Sequence, residues 1–330
     1  MIIRKCKISD IDQLYALDRI LEIHPWNRRS KKNWHWKYFG KNPAGKSIFF
    51  VAELKSKLIA SFAAIPINYN IKKKKILTCH SIAMMVHPDW QNKGLIKFVA
   101  DKVFNEIRKK KLPFVYGYPN DRAYNLHKNI FGYEDVFDQV TYGISAKRYN
   151  YFNFKYLNNN SSLKVRVVHN FGKAFDAFFN LEKKKFKVSV EKSRKFLNWR
   201  YASRPDHKYF CYSVLDNNNN LKGYFILKQY NEDKSLKSHI VDYFYSEKDK
   251  KNICNFIMYK SCQIAFKKFK AKELTLWCNA DSYMQKITKV SNFSKISSRK
   301  MICKIFNQKY RKILKKNNWF FTMGDTLEIY

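Results

Sequence analysis

The sequence has no long apolar run, no cysteine motif and only 9 glycines in 330 residues. Its richest apolar stretch, 58–67, is far shorter than the ~18–20 residues that cross a bilayer. The first 13 residues lack the apolar segment of a secretory signal. Seven scattered cysteines, without a CxxC or Cys/His cluster, do not resemble a disulfide framework or a zinc site. We therefore expect a cytoplasmic protein without a transmembrane segment or bound metal.

Acidic residues are also scarce, at 26 against 65 Lys and Arg, which gives a net charge of +39. Such an excess admits a nucleic acid, an anionic membrane surface contacted peripherally, or an acidic ligand. The lysines accompany many asparagines, and the runs at 72–75 and 109–111 adjoin periodic aliphatic stretches, as solvated faces do. Compositional drift and an anionic partner both remain open. A hydrophobic content of 45% predicts a packed core.

Two segments of the chain share one layout, which predicts a duplicated unit. Each has Trp, a basic residue and Tyr, then a Pro, an apolar strand, a polar turn and a second apolar strand. One constant offset relates the paired positions Trp36 and Trp199, Tyr38 and Tyr201, and Leu58 and Leu221. With small gaps the similarity continues, and it places Asn120 and Asn279 where each copy begins a helix. We predict two α/β units, 1–157 and 158–330, joined near the polar 157–162.

The periodicity predicts the elements of each copy. In the first copy, a strand at 1–7 precedes a helix capped by Ser9 or Asp10. Helix 94–110 has apolar positions at helical spacing, Phe98 among them. In the second copy, helix 252–268 corresponds to helix 94–110. The remaining elements predicted in the first copy are strands 48–54, 58–69, 75–86 and 113–118 and helix 121–130.

The stretch HPDWQNKGLIKF, residues 87–98, predicts an anion site. His87-Pro88 ends a strand at Val86, and Gln91-Asn92-Lys93-Gly94 leads straight into the helix. The first amides of a helix lack intrahelical acceptors, and the helix dipole adds positive charge there. Gly94 lets an anion approach the backbone, as a phosphate or pyrophosphate would. The stretch matches neither a Walker A loop nor GxGxxG, and an ordinary strand–turn–helix corner is the alternative.

This stretch, followed by a strand and by NDRAYNLHKNIFGY, resembles the GNAT family of N-acetyltransferases. The family signature is Q/R-x-x-G-x-G/A; Gln91 and Gly94 match it, whereas Ile96 replaces the last small residue. The resemblance implies two tandem GNAT-like units, each with a mostly antiparallel central sheet flanked by helices. It also implies an acetyl-CoA site formed by Gln91, Asn92, Lys93, Gly94, Leu95, Ile96 and Asn120. Residues 247–256 of the second copy lack the glycine, which implies a degenerate site there.

The resemblance further implies direct acetyl transfer from the thioester to an amine. The backbone of Met84, Met85 and Val86 would hold the pantetheine and place an amide near the acyl oxygen. The family often uses a Glu as the general base, but the strand 78–86 has none. His80 is then the nearest candidate. Asp89 and Glu134 are weaker candidates, and a water chain or a neutral amine would need no base.

The family's general acid is usually a Tyr before the Gly-Phe pair. One extra residue before Gly132 leaves Tyr124 and His127 equally good candidates here. Both also suit a place in the CoA channel or in the core. For the acceptor, Asp325 follows Gly324 in a turn and suits a cationic amine. The aromatic residues that could stack on a sugar ring are Trp26, Trp34, Trp36, Trp199 and Tyr201, although packing is the better interpretation for Trp36 and Trp199.

The leading hypothesis is an N-acyltransferase that moves an acetyl group from acetyl-CoA to a primary amine. The acceptor would be a small molecule, possibly an amino sugar or nucleotide sugar of surface polysaccharide synthesis. One alternative is a tRNA-linked aminoacyl or acetyl transferase, either Fem-like or acting on aminoacyl-tRNA, which would use the positive surface. The other is a non-catalytic nucleic-acid or membrane binder on a GNAT scaffold.

Overall fold

The computed structural model describes residues 1–21, 30–151, 162–206, 208–232, 234–314 and 318–327. In the first copy the strands are β1 (Ile2–Lys5), β2 (Ile48–Leu54), β3 (Lys57–Ile71), β4 (Lys74–Val86), β5 (Phe114–Gly117) and β6 (Glu134–Ser145). The second copy contains β7 (Lys164–Val168), β8 (Val188–Val190), β9 (Tyr209–Leu215), β10 (Leu221–Glu232), β11 (Ser235–Tyr245), β12 (Glu273–Cys278), β13 (Ser294–Ile305) and β14 (Trp319–Phe320).

The helices flank these strands in the predicted sequence order. In the first copy they are α1 (Ile11–Ile20), α2 (Lys31–Tyr38), α3 (Leu95–Lys109), α4 (Asp121–Asn129) and α5 (Ala146–Tyr151). Those of the second copy are α6 (Lys173–Glu182), α7 (Arg194–Leu197), α8 (Lys250–Cys262) and α9 (Tyr283–Val290), with π-helical turns after α7 and α8.

One mixed sheet runs through both copies. Its strand order is β1-β2-β3-β4-β5-β13-β6-β12-β11-β10-β9-β7. β7, β9, β10, β11, β12 and β13 repeat the layout of β1 to β6, so the order reads the same from either edge. Within it, β13 of the second copy pairs with β5, and β6 of the first copy pairs with β12. The two copies have therefore exchanged their last strands across a pseudo-twofold axis between β6 and β13.

The strand order and the flanking helices confirm the predicted α/β class and the mixed sheet, and the symmetry of the order confirms the duplication. It also means that neither copy completes its own sheet, since β5 and β12 each take their outer neighbour from the other copy. The predicted boundary between 157 and 158 lies outside the described residues and stays a prediction.

Most predicted elements are confirmed within a few residues, and three details are wrong. Asp10 precedes α1, but its carboxylate accepts from the amide of Lys7 and does not cap that helix. Phe98 was expected among the buried positions of α3, yet 57% of it is exposed. Asn279 was expected to begin a helix as Asn120 does. Ser282 caps α9 instead, and Asn279 Oδ1 accepts a hydrogen bond from the amide of Phe321.

The predicted acceptor-binding residue Trp36 forms the contact between the copies. Its ring stacks on Trp199 with centroids 4.9 Å apart, and its indole N–H donates to the carbonyl of Trp199 at 3.2 Å. Both rings are buried. The structure therefore supports the packing interpretation of these repeated tryptophans. Trp26 lies outside the described residues.

Asp325, also predicted to bind the acceptor, lies in a buried ionic cluster. Lys192 Nζ contacts Asp325 and lies 3.0 Å from Asp242 Oδ2, and all three side chains are inaccessible to solvent. Burial raises the pKa of Asp325, and the ammonium of Lys192 opposes that shift. Burial alone would lower the pKa of Lys192, but the carboxylates of Asp242 and Asp325 raise it overall. Asp325 is thus neutralised within the core, and the structure does not bring it to a cavity.

The C-terminal segment 318–327 packs between the copies. Arg200 Nε donates to the carbonyl of Gly324 and its Nη2 to that of Thr326, both at 3.0 Å. From the first copy, the Tyr116 hydroxyl donates to the carbonyl of Asp325 at 2.9 Å. No helix in the described parts of the chain has the length and apolarity to span a membrane. All seven cysteines are free thiols.

Candidate active site

A bulge in β4 opens the middle of the first copy's sheet. The β3–β4 register shifts between Ser61 and Ala63, and Ala83 has a φ of 52°. The Ser61 hydroxyl donates to the carbonyl of Ala83 at 2.9 Å and holds the bulge in place. β4 pairs with β5 only where Cys79 and His80 face Val115 and Tyr116. Beyond His80 the two strands separate, which leaves the edge of β4 at Met84–Val86 without a β5 partner.

A cavity of about 130 Å³ lies where β4 and β5 separate. Gly117 ends β5 at its rim, and a Cβ there would lie 2.8 Å from the Ser81 hydroxyl. The strands, α2, α4 and the chain after β5 all contribute to its wall. The lining residues are Asp18, Trp34, Tyr38, Phe62, Ser81, Ile82, Ala83, Met84, Met85, Gly117, Tyr118, Pro119, Asn120, Ala123, His127 and Arg299.

Of the two predicted acids, His127 faces this cavity. Asn120 caps α4, since its side chain accepts from the amide of Ala123, and α4 then places His127 one turn later. Its Nδ1 lies 2.8 Å from the carbonyl oxygen of Ala123. A carbonyl oxygen only accepts, so Nδ1 carries the hydrogen in this contact, which fixes the orientation of the ring. The imidazole is buried among Phe62, Phe131 and Tyr133.

Tyr124 does not line the cavity. Its hydroxyl donates to the carboxylate of Asp135 at 2.8 Å, on an exposed part of the surface. Lys128 also lies 3.1 Å from that carboxylate, which raises the pKa of Lys128. The structure therefore separates the two candidates that the sequence left equal.

The predicted base, His80, does not line the cavity either. Its ring stacks on Tyr116 with centroids 4.7 Å apart, and its Nδ1 lies 3.5 Å from the amide of Leu327. The residue is almost completely buried in the core. Of the weaker candidates, Asp89 is exposed in the turn after β4, and Glu134 forms an ion pair with Arg311.

The turn after β4 has the geometry expected of an anion site. Gln91 Nε2 donates to the carbonyl of Val86 at 3.1 Å and closes the turn, while its Oε1 accepts from Arg122. Asn92 and Gly94 adopt left-handed conformations with φ of 61° and 70°. The turn thereby delivers the chain into α3, whose first amides have no intrahelical acceptor.

Gly94 is exposed, and a Cβ at this position would meet no atom within 4 Å. The space above the turn is therefore open to a ligand. Lys93 lies beside it, with its ammonium 5.1 Å from the centre of the Trp90 ring. Leu95 and Ile96 bury their side chains in the core and can offer a ligand only their backbone. The departure of Ile96 from the motif thus fills core space and does not obstruct the turn.

The corresponding turn of the second copy holds a carboxylate of the protein itself. Glu182, at the end of α6, accepts from the Ser246 hydroxyl at 2.7 Å and from the amide of Glu247 at 3.1 Å. Glu182 is buried. A buried carboxyl of the protein itself therefore contacts the start of the 3-10 turn that leads into α8, and the degenerate site expected in this copy stays a prediction.

The first copy matches a known protein family. The model of an acetyltransferase (GNAT) domain matches residues 3–135. This part of the chain belongs to the GNAT acetyltransferase family. Two similar structures are a GCN5-related N-acetyltransferase from Anabaena variabilis (TM-score 0.69, 13% identity, 93% of this chain and 73% of that one) and a tandem GNAT protein from the clavulanic acid biosynthesis pathway (0.67, 9%, 92% and 98%).

A further similar structure is Saccharomyces cerevisiae N-myristoyltransferase with bound myristoyl-CoA (TM-score 0.62, 12% identity, 92% of this chain and 82% of that one). These likenesses show that the fold of the whole chain is that of tandem GNAT proteins. No curated protein matches the sequence.

Sequence reasoning missed several residues that line the cavity. Tyr118 directly follows β5 and faces the cavity with Ser81, and Asp18 and Tyr38 contribute from α1 and α2. Arg299 comes from β13 of the second copy, so only the strand exchange brings it here. Trp34 was named as an acceptor candidate, and the structure does place it in the cavity wall.

Proposed function

We propose that the protein is an N-acyltransferase that uses acetyl-CoA as its donor and a small-molecule primary amine as its acceptor. The observation that supports this most strongly is the continuity of the open turn before α3, the unpaired edge of β4 and the cavity between β4 and β5. The turn would bind the pyrophosphate through the backbone of Gln91–Ile96. The unpaired edge at Met84–Val86 would bind the amides of the pantetheine as an added strand.

The size of the cavity supports a short acyl group. Its volume of about 130 Å³ is close to the ~150 Å³ of an engineered cavity that binds benzene. An acetyl group with the reacting end of an amine fits such a space, whereas a fourteen-carbon chain does not. An amino sugar or a nucleotide-linked amino sugar remains the proposed acceptor class from the sequence.

The chemistry follows from the residues in the wall. The amine nitrogen attacks the thioester carbonyl, the carbon–sulfur bond breaks, and the amine proton is lost to solvent or to a base. The backbone of β4 offers the developing oxyanion an amide. His127, protonated at Nε2, returns a proton to the departing thiolate. Because His80 lies outside the cavity, an amine that arrives neutral or loses its proton through water accounts best for the base.

Calorimetry with acetyl-CoA at physiological salt tests the donor site through two substitutions of Gly94. We expect micromolar binding to the parent protein and no measurable binding to Gly94→Glu, whose carboxylate would repel the pyrophosphate. Gly94→Ala is the matched control. It carries the same left-handed strain, of about 1 kcal/mol, but its Cβ meets open space, so most of the affinity should remain. Absence of binding to the parent protein would overturn the proposal.

A further inference from the structure

The cavity wall beyond the proposed acetyl site holds polar groups without partners. The indole N–H of Trp34 and the hydroxyl of Tyr118 are buried, and no described residue forms a hydrogen bond with either. A buried polar atom left unpaired costs about 1–3 kcal/mol. Both side chains line the same cavity, so a ligand placed there would supply the missing partners.

The strand exchange places the cationic side chain of Arg299 in the wall of the same cavity. β13 pairs with β5 only from Ile302 to Ile305, and Ile302 faces Gly117 at the end of β5. Arg299 therefore lies beyond the last β5 pair, where Tyr118 and Asn120 continue the cavity wall. No carboxylate in the described parts of the chain forms an ion pair with it. The guanidinium thus lies at the rim of the cavity, exposed to solvent.

Tyr118 depends on the second copy in the same way. Its ring stacks on Phe321 with centroids 5.1 Å apart and lies 5.4 Å from that of Trp277. The second copy therefore fixes the position of Tyr118 and supplies Arg299.

These groups share one chemistry. An indole N–H and a guanidinium only donate hydrogen bonds, and a phenol hydroxyl can donate as well. Three donors, one of them charged, match the oxygens of a carboxylate or a phosphoryl group. Asp18 provides a negative charge on the wall of the same cavity, which suits the ammonium form of the amine before it reacts.

We propose that the acceptor is an amine that also carries a carboxylate or phosphoryl group, and that Arg299 of the second copy selects it. This inference rests on the proposed function, because it places the acceptor in the cavity that receives the acetyl group. It narrows the acceptor to an amine that carries an anionic group, and it gives the degenerate copy a direct role in specificity.

Equilibrium binding tests this independently of turnover. Two matched pairs of probes are titrated in the presence of CoA: β-alanine with β-alaninamide, and glucosamine 6-phosphate with glucosamine. We expect the anionic member of at least one pair to bind about tenfold more tightly. The pair that shows the preference distinguishes a carboxylate from a phosphoryl ligand.

Arg299→Gln should abolish that preference while it leaves the affinity for the neutral amine and for acetyl-CoA unchanged. Lys300→Gln is the matched control, because it removes the same charge from the neighbouring position. Adjacent residues of a strand point to opposite faces, and Lys300 pairs with Asp138 at 2.7 Å on the surface. Equal binding of both members of each pair, or a preference that survives Arg299→Gln, would overturn the inference. Failure of the donor site would instead appear in the Gly94 titrations.

Discussion

At the scale of single residues, hydrogen bonds determine how the two candidate acids are placed relative to the cavity. The Nδ1 hydrogen of His127 is bonded to a helix carbonyl, and the residue lines the cavity. Tyr124, four positions from Asn120 in the same helix, has its hydroxyl taken by Asp135. The sequence could not separate these two side chains, because one inserted residue before Gly132 shifts the family spacing. The hydrogen bonds separate them.

This difference predicts opposite results for two substitutions. His127→Gln should lower kcat about 100-fold, since it removes the proton donor to the thiolate, and should leave the acetyl-CoA Kd within about twofold. Tyr124→Phe should change kcat by less than about threefold. Steady-state rates at several pH values and calorimetry measure both effects. A larger loss for Tyr124→Phe than for His127→Gln would reverse the assignment.

At the scale of elements, the bulge in β4 determines where the strands separate. Ala83 occupies a left-handed conformation that costs a residue with a side chain about 1 kcal/mol. Ser61 offsets this cost with its hydrogen bond to the Ala83 carbonyl. Apolar periodicity predicts β4 well, at 75–86 against Lys74–Val86. It does not reveal the bulge, because a bulge leaves the alternation on either side intact.

Ser61→Ala should therefore affect both stability and donor binding. Loss of the buried hydrogen bond should reduce the free energy of unfolding by about 1–3 kcal/mol. The β4 edge should also shift and weaken acetyl-CoA binding several-fold. Ser213→Ala is the control, since Ser213 is a buried serine of the second copy whose hydroxyl donates to the Arg166 carbonyl. Urea unfolding and calorimetry should show loss of stability in both variants but weaker binding only in Ser61→Ala.

The sequence does not predict which strands pair with each other at the centre of the sheet. The repeat predicts that β6 and β13 are equivalent, so either strand suits the edge of β5 or of β12. No local sequence pattern determines whether β5 pairs with a strand of its own copy or with a strand of the other copy. The contact that Glu182 makes could not be predicted from the sequence for a similar reason, because its partner Glu247 lies 65 residues away in the chain.

At the scale of the whole molecule, a buried ionic cluster of the second copy holds the C-terminal segment in place. Lys192 Nζ contacts both Asp242 and Asp325, and the Thr322 hydroxyl donates to Asp242 at 2.9 Å. A buried charge that loses its partner costs about 3–5 kcal/mol. The C-terminal segment therefore depends on Lys192 for its place between the copies.

Lys192→Met should destabilise the protein by about 3–5 kcal/mol near neutral pH. Lys192 lowers the pKa of Asp325 against the effect of burial, so its removal raises that pKa further. A carboxyl whose folded-state pKa is raised stabilises the fold below its unfolded-state value and loses that contribution as pH rises. The defect should thus shrink as the pH falls from 8 to 5. Urea unfolding across this range checks the sign, and a defect that grows toward pH 5 would contradict it.

The exchanged strands have a consequence for how the two halves can diverge. In a duplicated gene, a half that has lost its ligand is usually free to decay or to be deleted. Here β5 of the first half needs β13 of the second as its neighbour. Deletion of the second half would therefore leave the sheet of the first half incomplete. Changes in the second half, such as those around Glu182, are then tolerated only while they keep β13 in place. The second half is retained as an inseparable part of the first.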